Sequence, residues 1–191
     1  MSYARVTVEV SRDDLSVIHG VGEVDGSWTD SLNQVHIWTS GISLVLETTD
    51  THTLVRKTFH LDERVITGEM LVSAKFFKRI MYMSRSKDKI ELTVDMAKNE
   101  ISASVLGCTI KTTGDTDFNF PKTNHVYPSQ KPDLNVIFTK SVLEKLLKSI
   151  PKDQYVRFGI IVDEPKSPIL VTTGNDTGDM KDEEHLIMPC I

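Results

Sequence analysis

Between Ser73 and Lys89 the chain reads SAKFFKRIMYMSRSKDK, and six basic residues, Lys75, Lys78, Arg79, Arg85, Lys87 and Lys89, are set against one acid, Asp88. The chain as a whole is acidic, with a net charge of −5. Cations gathered in one place on an acidic protein can attract a polyanion locally while the remaining surface repels it. On a helix advancing 100° per residue, Lys75, Lys78, Arg79, Tyr82 and Arg85 share one side. Phe76, Phe77, Ile80, Met81 and Met83 share the other, so the segment is predicted to be an amphipathic helix with a basic polar face.

The search for reaction chemistry is nearly empty. No Walker-type GxxxxGK[ST], HExxH or GxSxG stretch occurs, and GVGEVDG at Gly20 to Gly26 fails the spacing of a dinucleotide loop and reads as a loop after the first helix. The six histidines are scattered, with none at metal-ligand spacing from a second ligand. The acid pairs Asp13-Asp14 and Glu183-Glu184 fall at a helix start and in a polar loop, where acids need no catalytic role. No catalytic residue, metal or cofactor is expected, and the chain reads as a binding protein. An enzyme on an α+β scaffold is the disfavoured class, since active sites assemble from distant residues.

The elements that must position the basic face form a repeat. RVTVEV-SRDDLSVIHGV, GEMLV-SAKFFKRIMYM and LNVIF-TKSVLEKLLKSI share an order: a β-rich run, a hydroxyl residue at a helix start, then a helix-period segment. The hydroxyls are Ser11, Ser73 and Thr139, spaced by 62 and 66 residues. Each can accept a hydrogen bond from a free N–H of the first helical turn, and Asp14 three residues after Ser11 suggests a capping box. Alternating, β-branched runs follow each helix, with turns at Ser40-Gly41, Met96 to Glu100 and Asp163 to Pro168. The reading is an α+β chain of three β-α-β-β-β units, at about 4–66, 67–121 and 133–191. FPKTNHVYPSQKP, with three prolines and no periodicity, makes 122–132 a connector. Thr172 to Glu184 reads as an acidic surface loop without calcium-loop spacing.

The third helix repeats the division of the second. Val142, Leu143, Leu146, Leu147 and Ile150 form an apolar face, opposite Ser141, Glu144, Lys145 and Lys148, with Lys140 at the edge. The first offers Arg12 beside Asp13 and Asp14, so its basic character is weak. Two basic faces at matching repeat positions point to phosphate contacts without sequence readout, and the candidate DNA-binding set is Arg12, Lys75, Lys78, Arg79, Tyr82, Arg85, Lys87, Lys140, Lys145 and Lys148. A membrane surface is disfavoured because the apolar faces are needed for the core.

An apolar fraction of 39% and a charged fraction of 26% are ordinary for a globular protein, and no apolar run is long enough to span a bilayer. The start of the chain lacks a signal-peptide core, so a cytoplasmic location is expected. Cys108 and Cys190 form no CxxC and are expected as core or near-core thiols.

The repeated unit with basic helices resembles the DNA sliding clamp family. EEHLIMPCI resembles the C-terminal strand of the bacterial beta-type clamp, TDFNFP (Thr116 to Pro121) the element closing a clamp domain before its connector, and VSAKFFKRIMYM the start of a domain's second half. The resemblance implies a ring around duplex DNA, helices lining the central hole and sheets outside, that tethers a DNA polymerase and is placed by a clamp loader. On it, residues 1–121 are one complete clamp domain and 133–191 half of another. It further implies a client-peptide pocket bordered by Leu186, Met188 and Pro189. Rings of the family hold twelve such units, so three per chain implies self-association. A homotetramer would supply twelve, with a dimer or trimer also open. A shortened clamp of this kind suggests a bacteriophage source and an infected bacterial cell, at its nucleoid. The alternative is a clamp-like decoy that binds replication proteins without encircling DNA.

Overall fold

Val6, Val8 and Val10 alternate with Thr7 and Glu9, the period of a strand with one face in a core. Strand β1 (Arg5–Val10) forms there. The computed structural model describes residues 5–21, 32–50, 53–116, 120–123, 136–150, 155–160, 169–174 and 180–187. The chain divides into two compact units, Met1–Asn124 and His125–Ile191.

In the first unit β1 pairs outside its own repeat. It runs antiparallel to β4 (Ile90–Asp95) of the second repeat, from Arg5↔Asp95 to Val10↔Ile90. With β5 (Glu100–Val105) and β6 (Cys108–Thr113) this gives a sheet ordered β1-β4-β5-β6. The converse pairing joins β2 (Gln34–Thr49) to β3 (Leu54–Ser73): the end of β3 opens the second repeat, yet Gly68 to Ser73 lie opposite Thr39 to Gln34 of the first. Each repeat therefore completes its sheet with the leading strand of the other. One core results, in which Val10, Leu15 and Leu46 join Phe77, Ile80 and Leu92.

The turn expected at Ser40-Gly41 lies inside β2. There the ladder passes from Thr39↔Gly68 through Gly41↔Val65 to Ser43↔His60, so that four residues of β2 lie against eight of β3. Eleven residues of straight strand would span about 36 Å. His36 Nδ1 is nonetheless 3.8 Å from Glu47 Oε1, so β2 doubles back at this break, where Gly41 has φ of 61°. The turn at Met96 to Asn99 joins β4 to β5 as its residue types predict.

The first helix is shorter and tighter than its pattern suggests, a 3-10 helix at Asp14–Gly20. Its buried residues pair at intervals of three, Leu15 with Ile18 and Val17 with Gly20, as that geometry requires. The segment is pressed onto the strands: a Cβ at Gly20 would lie 2.6 Å from Thr48 Oγ1. The expected capping box is present, the Asp14 N–H donating to Ser11 Oγ at 3.2 Å and the Ser11 N–H to Asp14 Oδ2 at 2.8 Å. Cys108 is not a core thiol. It is exposed at the start of β6, just after the tight turn at Leu106-Gly107. Cys190 lies outside the described residues.

The second unit holds α2 (Lys140–Ser149) and the strands β7 (Tyr155–Gly159), β8 (Ile169–Gly174) and β9 (Met180–Ile187), in a sheet ordered β7-β8-β9. Leu146, Ile150, Ile169 and Val171 make its core, with Val136, Phe138, Leu143 and Val156 packed against it. The strand expected at LNVIF is absent from its described part, residues 136–138. In the first unit such a leading strand is held by the other repeat's sheet, and among the described residues the third repeat has no such partner. The acidic loop expected at Thr172 to Glu184 is also narrower, because β8 extends to Gly174 and β9 begins at Met180. Charged residues suit the outer strand of a sheet, where they discourage further pairing, and this is why the segment reads as a loop. The turn at Asp163 to Pro168, most of 122–132 and most of GVGEVDG lie outside the described residues. Among the described residues no helix is long and apolar enough to cross a membrane.

Candidate nucleic-acid interface

Helix α1 (Ala74–Met83) begins where Ser73 Oγ accepts the Lys75 N–H at 3.3 Å. Its orientation is set by burial. Ala74, Phe76, Phe77 and Ile80 are buried, and the rings of Phe76 and Phe77 meet edge to face at 5.3 Å between centroids. Burying a side chain the size of Phe77 or Ile80 is worth roughly 1.5–3 kcal/mol, so turning the helix over would forfeit several such terms. Lys75, Lys78, Arg79 and Tyr82 are therefore forced outward, and all are exposed, Tyr82 by 92%. Arg85 and Lys87, in the turn after the helix, are exposed as well.

Electrostatically this surface differs from its surroundings. Elsewhere in the unit Arg56, Lys57, Lys89, Lys98 and Lys111 are ion-paired with Glu47, Asp14, Glu9, Asp95 and Glu100. Among the described residues Lys75, Lys78, Arg79, Arg85 and Lys87 have no acidic partner at salt-bridge distance; Arg5, Arg64 and Lys122 have none either, but only here do five such cations fall within thirteen residues. Asp88, the one acid of the stretch, accepts the Arg85 N–H at 2.7 Å and shapes the turn. Arg12 comes to the end of α1, its Nη1 3.5 Å from Ser84 O. It is half-buried there, so it borders the exposed cations of α1.

In the second unit Lys140, Lys145 and Lys148 are exposed on α2. Lys140 Nζ is 3.5 Å from Glu144 Oε1, one turn along, an exposed pair that water screens. The apolar face predicted for α2 is only partly used: Leu146 and Ile150 are buried, Leu143 is half-buried, and Val142 and Leu147 are exposed. Leu186 lies in β9 opposite Leu170, with its side chain outside the description. Met188 and Pro189 lie outside the described residues.

One constellation was not foreseen. Glu47 is fully buried and ion-paired to Arg56, and it accepts the Thr123 hydroxyl at 2.5 Å. Phe120 lies over His36 at 4.6 Å between rings, and His36 Nε2 is 3.1 Å from Glu69 Oε2. These contacts fasten residues 120–123, next to the segment read as a connector, to β2 and β3. A carboxylate within the apolar run ISLVLETT is the sequence signal, since a charge on a strand buried on both faces must be paired.

Arranged this way, the exposed cations of α1 present a charge complementary to a chain of phosphates. Among the described residues no group of three side chains could hold a metal. The chain superposes on solved structures over nearly its whole length. The DnaN sliding clamp of Pseudomonas aeruginosa bound to griselimycin superposes with a TM-score of 0.66 at 14% identity, over 97% of this chain and 51% of that one. The chain has the sliding-clamp fold. The DNA polymerase III beta subunit of Thermotoga maritima matches with a TM-score of 0.66 at 17% identity, over 96% and 50%. The beta subunit from DNA polymerase of Streptococcus pyogenes matches with a TM-score of 0.67 at 13% identity, over 97% and 51%. The chain thus spans about half the length of these proteins. No protein-family model and no curated protein sequence matches it.

Proposed function

We propose that the protein is a non-enzymatic sliding clamp, which self-associates into a ring around duplex DNA and tethers a DNA polymerase for processive synthesis. The observation that supports this most directly is the unneutralised cationic face of α1 on a clamp fold. Contacts of Lys75, Lys78, Arg79, Tyr82, Arg85 and Lys87 with phosphates would bind any sequence, and the looseness of such contacts permits sliding. Arg12, Lys140, Lys145 and Lys148 would add to them. Leu186, Met188 and Pro189 would border the pocket for a client peptide of the polymerase or clamp loader. A ring of four chains would match the number of units in longer clamps, within the cytoplasm of a bacterial or infected bacterial cell.

Retention on circular DNA tests the reading. With a loader or by spontaneous opening, the chain should stay on nicked circular plasmid in a gel-filtration column and be lost when the plasmid is linearised. Joint reversal of Lys75→Glu, Lys78→Glu and Arg79→Glu should abolish retention with the fold intact. Equal binding to circular and linear DNA, or retention unchanged by the triple reversal, overturns the proposal. Capture of a polymerase or loader by a chain that never stays on DNA would instead identify the decoy.

A further inference from the structure

Seventeen residues after its helix-start hydroxyl, the second repeat reaches Ile90 and the third Val156, so Phe158 corresponds to Leu92 and Ile160 to Val94. Strand pairing agrees. Leu92 stands opposite Ala103 and Phe158 opposite Val171, and both of these partners are buried. Residues paired across strands share a face of the sheet, so Phe158 lies on the core side. Leu92 and Val94 are 0% exposed, whereas Phe158 and Ile160 are 44% and 42% exposed. The helices differ in the same sense, Phe76 being 8% exposed and its counterpart Val142 36%.

The first repeat is what covers these positions in the first unit, since β1 lies along β4 and Val10 and Leu15 enter the same core. Among the described residues β7 has no strand on its outer edge, and residues 136–138, which correspond to the end of β1, are in no ladder. Among the described residues the third repeat thus has an acceptor edge with no strand on it and a donor segment that is in no ladder, although Val136 and Phe138 pack against its core.

We propose that the third repeat closes against the third repeat of a second copy of this chain, each copy laying residues 136–138 along the other's β7. In the β1–β4 register Phe138 would face Val156, and Val136 would face Phe158. Apolar residues meet on the core side. On the outer side Ile137 meets Arg157, so no like charges oppose, whereas the β1–β4 ladder sets Glu9 against Glu91. A two-fold axis makes the exchange reciprocal and closes both edges at once. The first unit already contains this exchange between its own two repeats.

The inference rests on the fold and does not require α1 to face DNA. Light scattering of the full chain from about 1 to 50 µM, the range of ordinary association constants, should give a dimer or an even multiple of it, and a monomer throughout overturns the proposal. Phe158→Asp with Ile160→Asp should weaken self-association at least about 100-fold, as charge in the centre of an apolar interface does, with the unfolding of the first unit unchanged. Undiminished association overturns it. Because this variant could unfold the second unit, Val136→Cys with Phe158→Cys in a Cys108→Ser, Cys190→Ser background gives a second measure. Oxidation should yield a covalent dimer on a non-reducing gel, and its absence overturns the pairing. A chain that dimerises in this way but leaves circular DNA would refute the clamp reading alone, and a monomer retained on circular DNA would refute this one alone.

Discussion

Glu47 and Arg56 stand opposite one another in the β2–β3 ladder and form an ion pair whose carboxylate is fully buried. Arg56 also reaches Thr123 Oγ1 at 3.2 Å and lies 5.8 Å from the centre of the Trp38 ring. One charged pair thus links a strand, its neighbour and the segment leaving the first unit. A buried charge stripped of its partner is expensive, so Arg56→Met should destabilise the first unit by about 3–5 kcal/mol, whereas replacing both partners by apolar residues should cost much less. Urea unfolding of the single and double variants distinguishes the two costs.

The same carboxylate makes the first unit acid-sensitive. Burial pushes the Glu47 carboxyl up, but the neighbouring His36 ring, hydrogen bonds from Thr123 and Arg56, and the Arg56 charge outweigh it and hold the group below its ordinary value. Asp14 is also lowered: burial opposes ionisation there, and Lys57, at 2.6 Å, with Ser11 overcomes it. A carboxyl whose folded pKa is depressed stabilises the fold above its unfolded value, about 4 for these groups, and that contribution disappears as pH falls through the folded value. Melting temperature should therefore be nearly level from pH 7 to about 5 and drop steeply below about 4. Glu47→Gln should melt lower at pH 7 and show a shallower acid decline; an acid limb as steep as that of the parent protein would contradict this assignment.

Leu106 has φ of 50° and Gly107 φ of 79°, the two left-handed residues of a type I′ turn joining β5 to β6. A branched apolar residue is poorly suited to that conformation, and Leu106 is exposed, so little packing compensates. Asn-Gly is the favoured pair for such a turn. Leu106→Asn should stabilise the first unit by about 0.5–1 kcal/mol, read as a higher urea midpoint at unchanged slope.

Helix α1 was legible because Phe76, Phe77 and Ile80 recur at helical spacing beside cations that cannot be buried, so one pattern fixed both its existence and its orientation. β1 and β4 were legible as strands from alternation, but their pairing was not, since Val10 and Ile90 are joined through space and no local pattern names a partner. The Glu47 network was hidden for the same reason, with Thr123 distant in sequence. In the third repeat alternation marks strands, and only the β7–β8 ladder puts Phe158 and Val171 on one face. Alternation could not say whether anything covers that face, which depends on a second body. The first helix was misjudged because a short apolar run fits periods of three and 3.6 equally well, and the close approach of Gly20 to Thr48 selects the tighter one.

Lys75 offers a test in which stability and binding move in opposite directions. It is the second residue of α1, whose first turn contains no acid. The N-terminal end of a helix carries partial positive charge, so lysine is disfavoured there and glutamate favoured, each by about 0.3–1 kcal/mol at low salt. The Ser73 cap bonds the backbone N–H of residue 75 and is indifferent to its side chain. Lys75→Glu should therefore raise the melting temperature of the first unit slightly while weakening duplex DNA binding. If Lys75 neutralises one phosphate, the slope of log Kobs against log salt should shrink by about 0.9. Lys111→Glu, on β6 and away from α1, provides the control and should leave that slope unchanged. An unfolding artefact would lower stability and affinity together, so a more stable variant with weaker, less salt-dependent binding would assign the basic face of α1 to DNA.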